Sequence, residues 1–246
     1  MRINIPTTPK LTIRNLAILW AIAGALQPFA PVFGQETKRS EPQGVSIFDG
    51  ESLRGWSGLS SNWRVEEGAI TGVNTAEAPV PQNTFLVYDK PVQDFELELD
   101  FRIQGGNSGI QYRSKVLNQE KFVVGGYQAD IDSARRFMGI NYEEQGRGIL
   151  TDRGEIIAIN AQGAKSKVGS AGDPEALLSR IRWGDWNHYR IVAQGPILQH
   201  YINDTLMSET HDEESGKAAS EGVIAFQVHA GPPMKVQFKN ITLKTY

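Results

Sequence analysis

His229, Asp130, Asp132, Arg113 and a set of glutamines are spaced so that alternate residues of short extended segments could share one surface. Three segments carry them: GGNSGIQYRS (105–114), GYQADID (126–132) and FQVHAGPPMKVQFKNI (226–241). Side chains two apart on a strand point the same way. Gln111 therefore shares a face with Arg113, Gln128 with Asp130 and Asp132, and Gln227 with His229. The intervening positions hold residues that suit burial, among them Ile110, Tyr112, Tyr127, Ile131 and Phe226. A face of amides, carboxylates, a guanidinium and an imidazole is the layout of a sheet-borne sugar site.

His229 stands just before a glycine–proline turn, near a strand end, where an imidazole that titrates close to neutrality can serve as a base. Asp130 and Asp132 would lie about 6 to 7 Å apart along one strand face. They could share a cation, perturb each other's pKa values, or cap the turn at Ser133. With a loop glutamate they would suit calcium or another hard divalent metal, and His229 would widen the choice to a transition metal. No tight ligand spacing such as HExxH or an EF-hand loop supports that reading. Arg113 could bind hydroxyls or neutralise a developing negative charge, or it could form an ordinary ion pair.

The stretch YEEQGRG (142–148) supplies further candidates on a glycine-bearing loop that could fold over the polar face. Glu143 and Glu144 are candidate catalytic carboxylates there, Tyr142 could stack on a ring, and Arg147 could hold a ligand; a solvated charge cluster is the plain alternative. Gln111, Gln128 and Gln227 read as ligand-binding amides. His200 alternates with Leu198 and Ile202 and reads as partly buried. Trp56 and Trp63 read as core.

The elements that must position these groups are strands. From 95 to 103, Phe95, Leu97, Leu99, Phe101 and Ile103 alternate with charged residues, the signature of a half-buried strand. NWRVEEGAITG (62–72) reads as a hairpin with a glycine-containing turn. Residues 142–155 read as loop and short strand. Asp173 and Pro174 open the one credible helix, as N-cap and first helical residue, ending near Ser179. Strands follow at 186–194, 197–203, 223–229 and 235–243. Strands spaced by roughly 8 to 12 residues with few helices imply an all-β sandwich or barrel.

The chain has 246 residues, 40% of them apolar, and 25 glycines, which fits one large β-domain rich in turns. Residues 1–34 carry Arg2, Lys10 and Arg14 as their only charges, ahead of an apolar run at 16–26 too short to span a bilayer. This is a signal-peptide pattern, followed by a polar linker at 35–44 and a domain at 45–246. The expected location is periplasmic or secreted. Without the leader, 22 basic face 28 acidic side chains, a net charge of −6 that argues against nucleic acid or an anionic membrane as partner. With no cysteine, stability must come from packing or a bound ion.

Six segments taken in order, IFDGESLRGW, NWRVEEGAITG, GGNSGIQYRS, GYQADID, WNHYRIVAQG and FQVHAGPPMKVQFKNI, resemble the 3-keto-disaccharide hydrolase family over about residues 46–246. The resemblance implies a concanavalin A-like jelly roll of two curved antiparallel sheets, export, and action on oxidised sugars. A ketone at carbon 3 acidifies the carbon-2 proton, so the group at carbon 1 can leave through an enolate before water adds. His229 would serve as base, Arg113 or a metal as electrophile, and a carboxylic acid as proton donor. The oxidoreductase that makes the 3-keto group would be a partner in the pathway, without implied contact. Two other readings stand beside this: a non-catalytic carbohydrate-binding module, and a retaining glycosidase with two carboxylates about 5 Å apart. No serine elbow, phosphate loop or dinucleotide fingerprint is present.

Overall fold

The computed structural model describes residues 44–246. The leader and linker read from the sequence lie outside the described residues, apart from Gly44. Along the chain come β1 (Val45–Ser46), β2 (Trp56–Ser57), β3 (Trp63–Glu66), β4 (Ala69–Asn74), β5 (Thr84–Tyr88), β6 (Phe95–Gln104), β7 (Asn107–Asn118), β8 (Val123–Asp132) and β9 (Asn141–Glu144). Then follow β10 (Gly148–Thr151), β11 (Glu155–Ile159), β12 (Lys165–Ser170), α1 (Pro174–Leu178), β13 (Asn187–Gln194), β14 (Ile197–Ile202), β15 (Thr205–Asp212), β16 (Val223–Val228) and β17 (Met234–Thr245). Among the described residues the structure is the all-β jelly-roll sandwich with one short helix. One sheet has ten strands in the order β12-β11-β15-β14-β13-β6-β17-β4-β3, with β1 on β17. The other has seven, β10-β9-β8-β7-β16-β5-β2.

Local chemistry accounts for the elements. The alternating pattern of β6 makes it a central strand between β13 and β17, with every apolar residue buried and every charged residue half-buried on the opposite face. Glu67 and Gly68 both take positive φ, which is the geometry of a two-residue turn closing the β3–β4 hairpin. The Asp173 carboxylate accepts a hydrogen bond from the Ala176 N–H at 2.8 Å, and Pro174 opens α1 where a missing N–H costs nothing. The stretch at 142–155 is more regular than its composition suggests: it contains most of β9 and all of β10, paired antiparallel.

The core lies between the sheets. Phe226 of the seven-stranded sheet stacks on Phe238 of the ten-stranded sheet at 4.0 Å, and Phe95 meets Tyr112 edge-on at 5.9 Å. Each such buried ring stabilises the fold by about 1.5–3 kcal/mol. His200 belongs to this core. It is fully buried, its Nε2 accepts from the Tyr112 hydroxyl at 2.8 Å, and Nδ1 donates to the Ile140 carbonyl. Burial pushes its pKa down to about 3, so it stays neutral and holds β14 against the opposite sheet.

One irregularity in β7 changes the reading of the polar face. Tyr112 pairs with Tyr127 and Lys115 with Gly125, so Arg113 and Ser114 together oppose Gly126 as a bulge. Arg113 takes φ +45° there. Gly126 is required opposite it, since a Cβ would come within 2.4 Å of Ser114 Oγ. The bulge breaks the two-residue alternation, and Arg113 does not join Gln111 on the polar face. Its side chain is 1% exposed and donates to Asp94 at 2.6 Å and to the carbonyls of Gln93, Gly195 and Ala219. Arg113 therefore ties together the segments entering β6, leaving β13 and leading to β16. Arg113→Met is expected to lower unfolding free energy in urea by about 3 kcal/mol, since carbonyls and a carboxylate lose their donor. Arg113→Lys should recover little of it, because an ammonium cannot span the same acceptors.

Candidate active site

On the outer face of the seven-stranded sheet, away from the core, a hollow of about 500 Å³ opens among β8, β9 and the ends of β5 and β16. Gln128, Asp130, Asp132, Tyr142, Glu144 and His229 line it, with Asn83, Asn107, Arg136 and Phe137. The register places them: Gln128 pairs with Tyr142 of β9 on one side and Gln111 of β7 on the other, and Asp130 sits opposite Gly109. Gly109 matters because Gln128 lies across it; a Cβ there would stand 2.4 Å from Gln128 Cγ.

Asp130 is the electrostatic centre. It is 4% exposed, and burial holds its carboxyl well above the usual range, reinforced by the nearby Asp132 and Glu144 charges and opposed by one hydrogen bond from Gln128. That bond ends a chain with a single direction. The Ser114 hydroxyl donates to Gln111 Oε1 at 2.6 Å, Gln111 Nε2 to Gln128 Oε1 at 2.9 Å, and Gln128 Nε2 to Asp130 Oδ1 at 2.6 Å. Oδ1 is fixed as the acceptor, so a proton on this carboxyl sits on Oδ2. Asp130 can thus offer an acidic O–H in a largely dry setting.

His229 follows directly on the last residue of β16, and its Nδ1 contacts the carbonyl of Ala230. With Nδ1–H donating, Nε2 carries the free lone pair of a base. Glu144 Oε1 accepts from Asn83 Nδ2 at 3.1 Å, which leaves Oε2 without a partner among the described residues. The same Asn83 accepts the Ala230 N–H at 2.9 Å and so joins the His229 turn to Glu144. Tyr142 is partly exposed, and burial followed by the Glu144 and Asp130 charges raises its pKa, so its hydroxyl is a donor.

Other residues from the sequence reading stand elsewhere or are already engaged. Both Asp132 oxygens accept backbone N–H groups, from Ala134 at 2.9 Å and from Arg136 and Phe137 at 2.8 Å, so it caps the turn after β8. Among the described residues no three His, Asp or Glu side chains converge as metal ligands. Glu143 and Arg147 turn away from the hollow. Arg147 is clasped by Glu143 at 2.6 Å, Asp212 at 2.6 Å and Glu214 at 2.9 Å, and Tyr127 donates to the same Asp212, binding the seven-stranded sheet to β15. Gln111 and Gln227 are fully buried; Gln111 is a link in the chain to Asp130, and neither amide atom of Gln227 has a partner. Asn83, Asn107 and Phe137 escaped the sequence reading, since nothing about a lone asparagine in a proline-flanked loop marks it.

The fold is a jelly roll with a polar hollow on one sheet, lined by carboxyls, a histidine and amides. The chain belongs to the 3-keto-alpha-glucoside-1,2-lyase-like family, whose model matches residues 43–244. It is 36% identical over 177 residues to a Bacteroides thetaiotaomicron protein named 3-keto-disaccharide hydrolase, a match covering 68% of this chain and 58% of that relative's length. Among solved structures, a Bacillus subtilis protein of unknown function with a galectin-like fold superposes with a TM-score of 0.57 at 10% identity, covering 83% of this chain and 97% of that one. The carbohydrate binding module CBM66 from Bacillus subtilis gives 0.51 at 19% identity, covering 78% and 96%. These two share the fold.

The raised pKa of Asp130 has a consequence for stability. Between the unfolded value of 3.8 and the higher folded value, the folded chain keeps a proton that the unfolded chain releases, so this group's contribution falls as pH rises through that window. Asp130→Asn removes the effect. Its urea midpoint, compared with the parent from pH 4 to pH 8, is expected to gain steadily on the parent as pH increases.

Proposed function

We propose that this protein cleaves the glycosidic bond of a 3-keto-glycoside by elimination followed by hydration. The observation that carries this reading is a buried Asp130 carboxyl, its pKa raised by burial, in the same hollow as a histidine whose Nε2 has no partner among the described residues. Family membership and the name of the curated relative support the substrate class.

The oxidised ring would bind with its carbon-2 hydrogen toward His229. Nε2 takes that proton, and the C–H electron pair forms the enolate with the carbon-3 ketone. Hydroxyl donors would stabilise the enolate oxygen, a part the sequence reading gave to Arg113 or a metal and that the Tyr142 hydroxyl would take. As the enolate collapses, the carbon 1–carbon 2 double bond forms, the bond from carbon 1 to the aglycone oxygen breaks, and Asp130 Oδ2 gives its proton to that oxygen. Water then adds: the Asp130 carboxylate accepts a proton from it, hydroxide joins carbon 1, and His229 returns its proton to carbon 2. Both residues end in their starting states. Glu144 Oε2 and the Asn83 amide would hold ring hydroxyls, and no step is routed through a metal.

We extend the proposal to export into the periplasm or beyond, on the strength of the leader pattern at 1–34, and to dependence on a separate oxidoreductase for the 3-keto group. Incubation with a 3-keto-disaccharide and with its unoxidised parent tests the chemistry. Only the keto form should be cleaved, and His229→Ala and Asp130→Asn should each lower kcat by about 10²- to 10⁴-fold. Cleavage of the parent at a similar rate would favour an ordinary glycosidase, and tight binding of both sugars without cleavage a binding module.

A further inference from the structure

A second hollow, of about 830 Å³, adjoins the first and shares Ala134 and Arg136 with it as a common wall. The turn after β8, the turn at 152–155, α1 and Trp183 enclose it. Its lining is densely charged, and the ion pairs there are accounted for. Arg136 is paired with Asp152 at 3.1 Å and Lys167 with Glu155 at 3.2 Å. Arg153 spends its guanidinium on the carbonyls of Pro174 and Met138.

Two other charged lining residues, Glu175 on α1 and Arg135, have no ion pair among the described residues. The Arg135 guanidinium lies over the Trp183 indole, 4.7 Å from the ring centre. Stacking of this kind holds the planar group in place while its edge N–H groups stay available for bidentate binding. The backbone is held to the same end. Arg135 has φ +69°, an unfavourable conformation for a residue with a side chain, within the turn that Asp132 fixes through three N–H groups. A buried carboxylate and a strained residue thus present one unspent cation beside the site.

We propose that this second hollow is the aglycone subsite and that it receives an aglycone bearing a carboxylate, which Arg135 binds while Trp183 supports the guanidinium. The proposal rests on the elimination reading of the first hollow. The carboxylate could belong to a uronic acid ring or to an aromatic acid, and the substrates tell them apart.

The test compares kcat/KM for 3-keto-glucosides with a glucuronic acid, a benzoic acid or a matched neutral aglycone, in the parent, Arg135→Ala, Arg135→Lys and Trp183→Phe. Arg135→Ala should cost carboxylate substrates about tenfold more than their neutral counterparts, mainly through KM. Arg135→Lys should recover part of that difference. Equal losses for charged and neutral aglycones, or no loss, would overturn the subsite. A second readout is independent of turnover: glucuronate and benzoate, titrated without oxidised sugar, should quench fluorescence in the parent but not in Arg135→Ala or Trp183→Phe. Quenching without cleavage of any keto-glycoside would sink the proposed reaction and leave the carboxylate site standing. Cleavage without quenching or carboxylate preference would do the reverse.

Discussion

The pairing of β7 with β8, Gly109 opposite Asp130 and Gln111 opposite Gln128, fixes everything that the polar face can do. It is enforced from the other side of the sheet. Tyr112, Tyr127, Ala129 and Ile131 are all buried against the ten-stranded sheet, so a slip of one residue would drive carboxylates and amides into the core and expose the aromatics. The energy that specifies the site is therefore core-packing energy. The hollow itself contributes little to stability, and Asp130 opposes it.

From that register follows the charge state of Asp130. A carboxyl with almost no water around it and one amide hydrogen bond keeps its proton where a solvated aspartate would lose it. The Ser114–Gln111–Gln128 chain then settles which oxygen carries the proton. At the far end of the hollow, Asn83 sets the spacing between the His229 turn and Glu144. Asp130 is thus held by the middle of a sheet and His229 by a strand end. Such an arrangement keeps the carboxyl dry and leaves the imidazole reachable from the hollow.

How far the residues announced this depends on the kind of interaction. The strong alternation of β6, the β3–β4 turn and the Asp173–Pro174 helix start were legible because each is a local pattern with a local cause. The grouping of Gln128, Asp130, Tyr142, Glu144 and His229 was legible in part, because strand periodicity assigns faces. The turn-capping alternative for Asp132 was legible too, and it is the one the structure adopts. Two displacements were not: Arg113 was moved by a bulge that alternation cannot foresee, and Glu143 was claimed by Arg147 with Asp212 and Glu214, more than sixty residues downstream. In each case the side chain had a plausible solvent-facing role in sequence and a better partner in space. Strands β1, β2, β5, β11, β12 and β15 also went unread, since their identity comes from the neighbours they pair with rather than from a periodic pattern of their own.

Removal of the carbon-2 proton is the step on which the proposed reaction depends, and a kinetic isotope effect on kcat/KM measures that event. A 3-keto-disaccharide deuterated at carbon 2 of the oxidised ring, compared with its protium form, should react several-fold more slowly, and the aglycone should be released at that reduced rate. Equal rates for the two isotopologues, with cleavage still specific to the keto sugar, would contradict proton abstraction by His229 and with it the division of labour between His229 and Asp130.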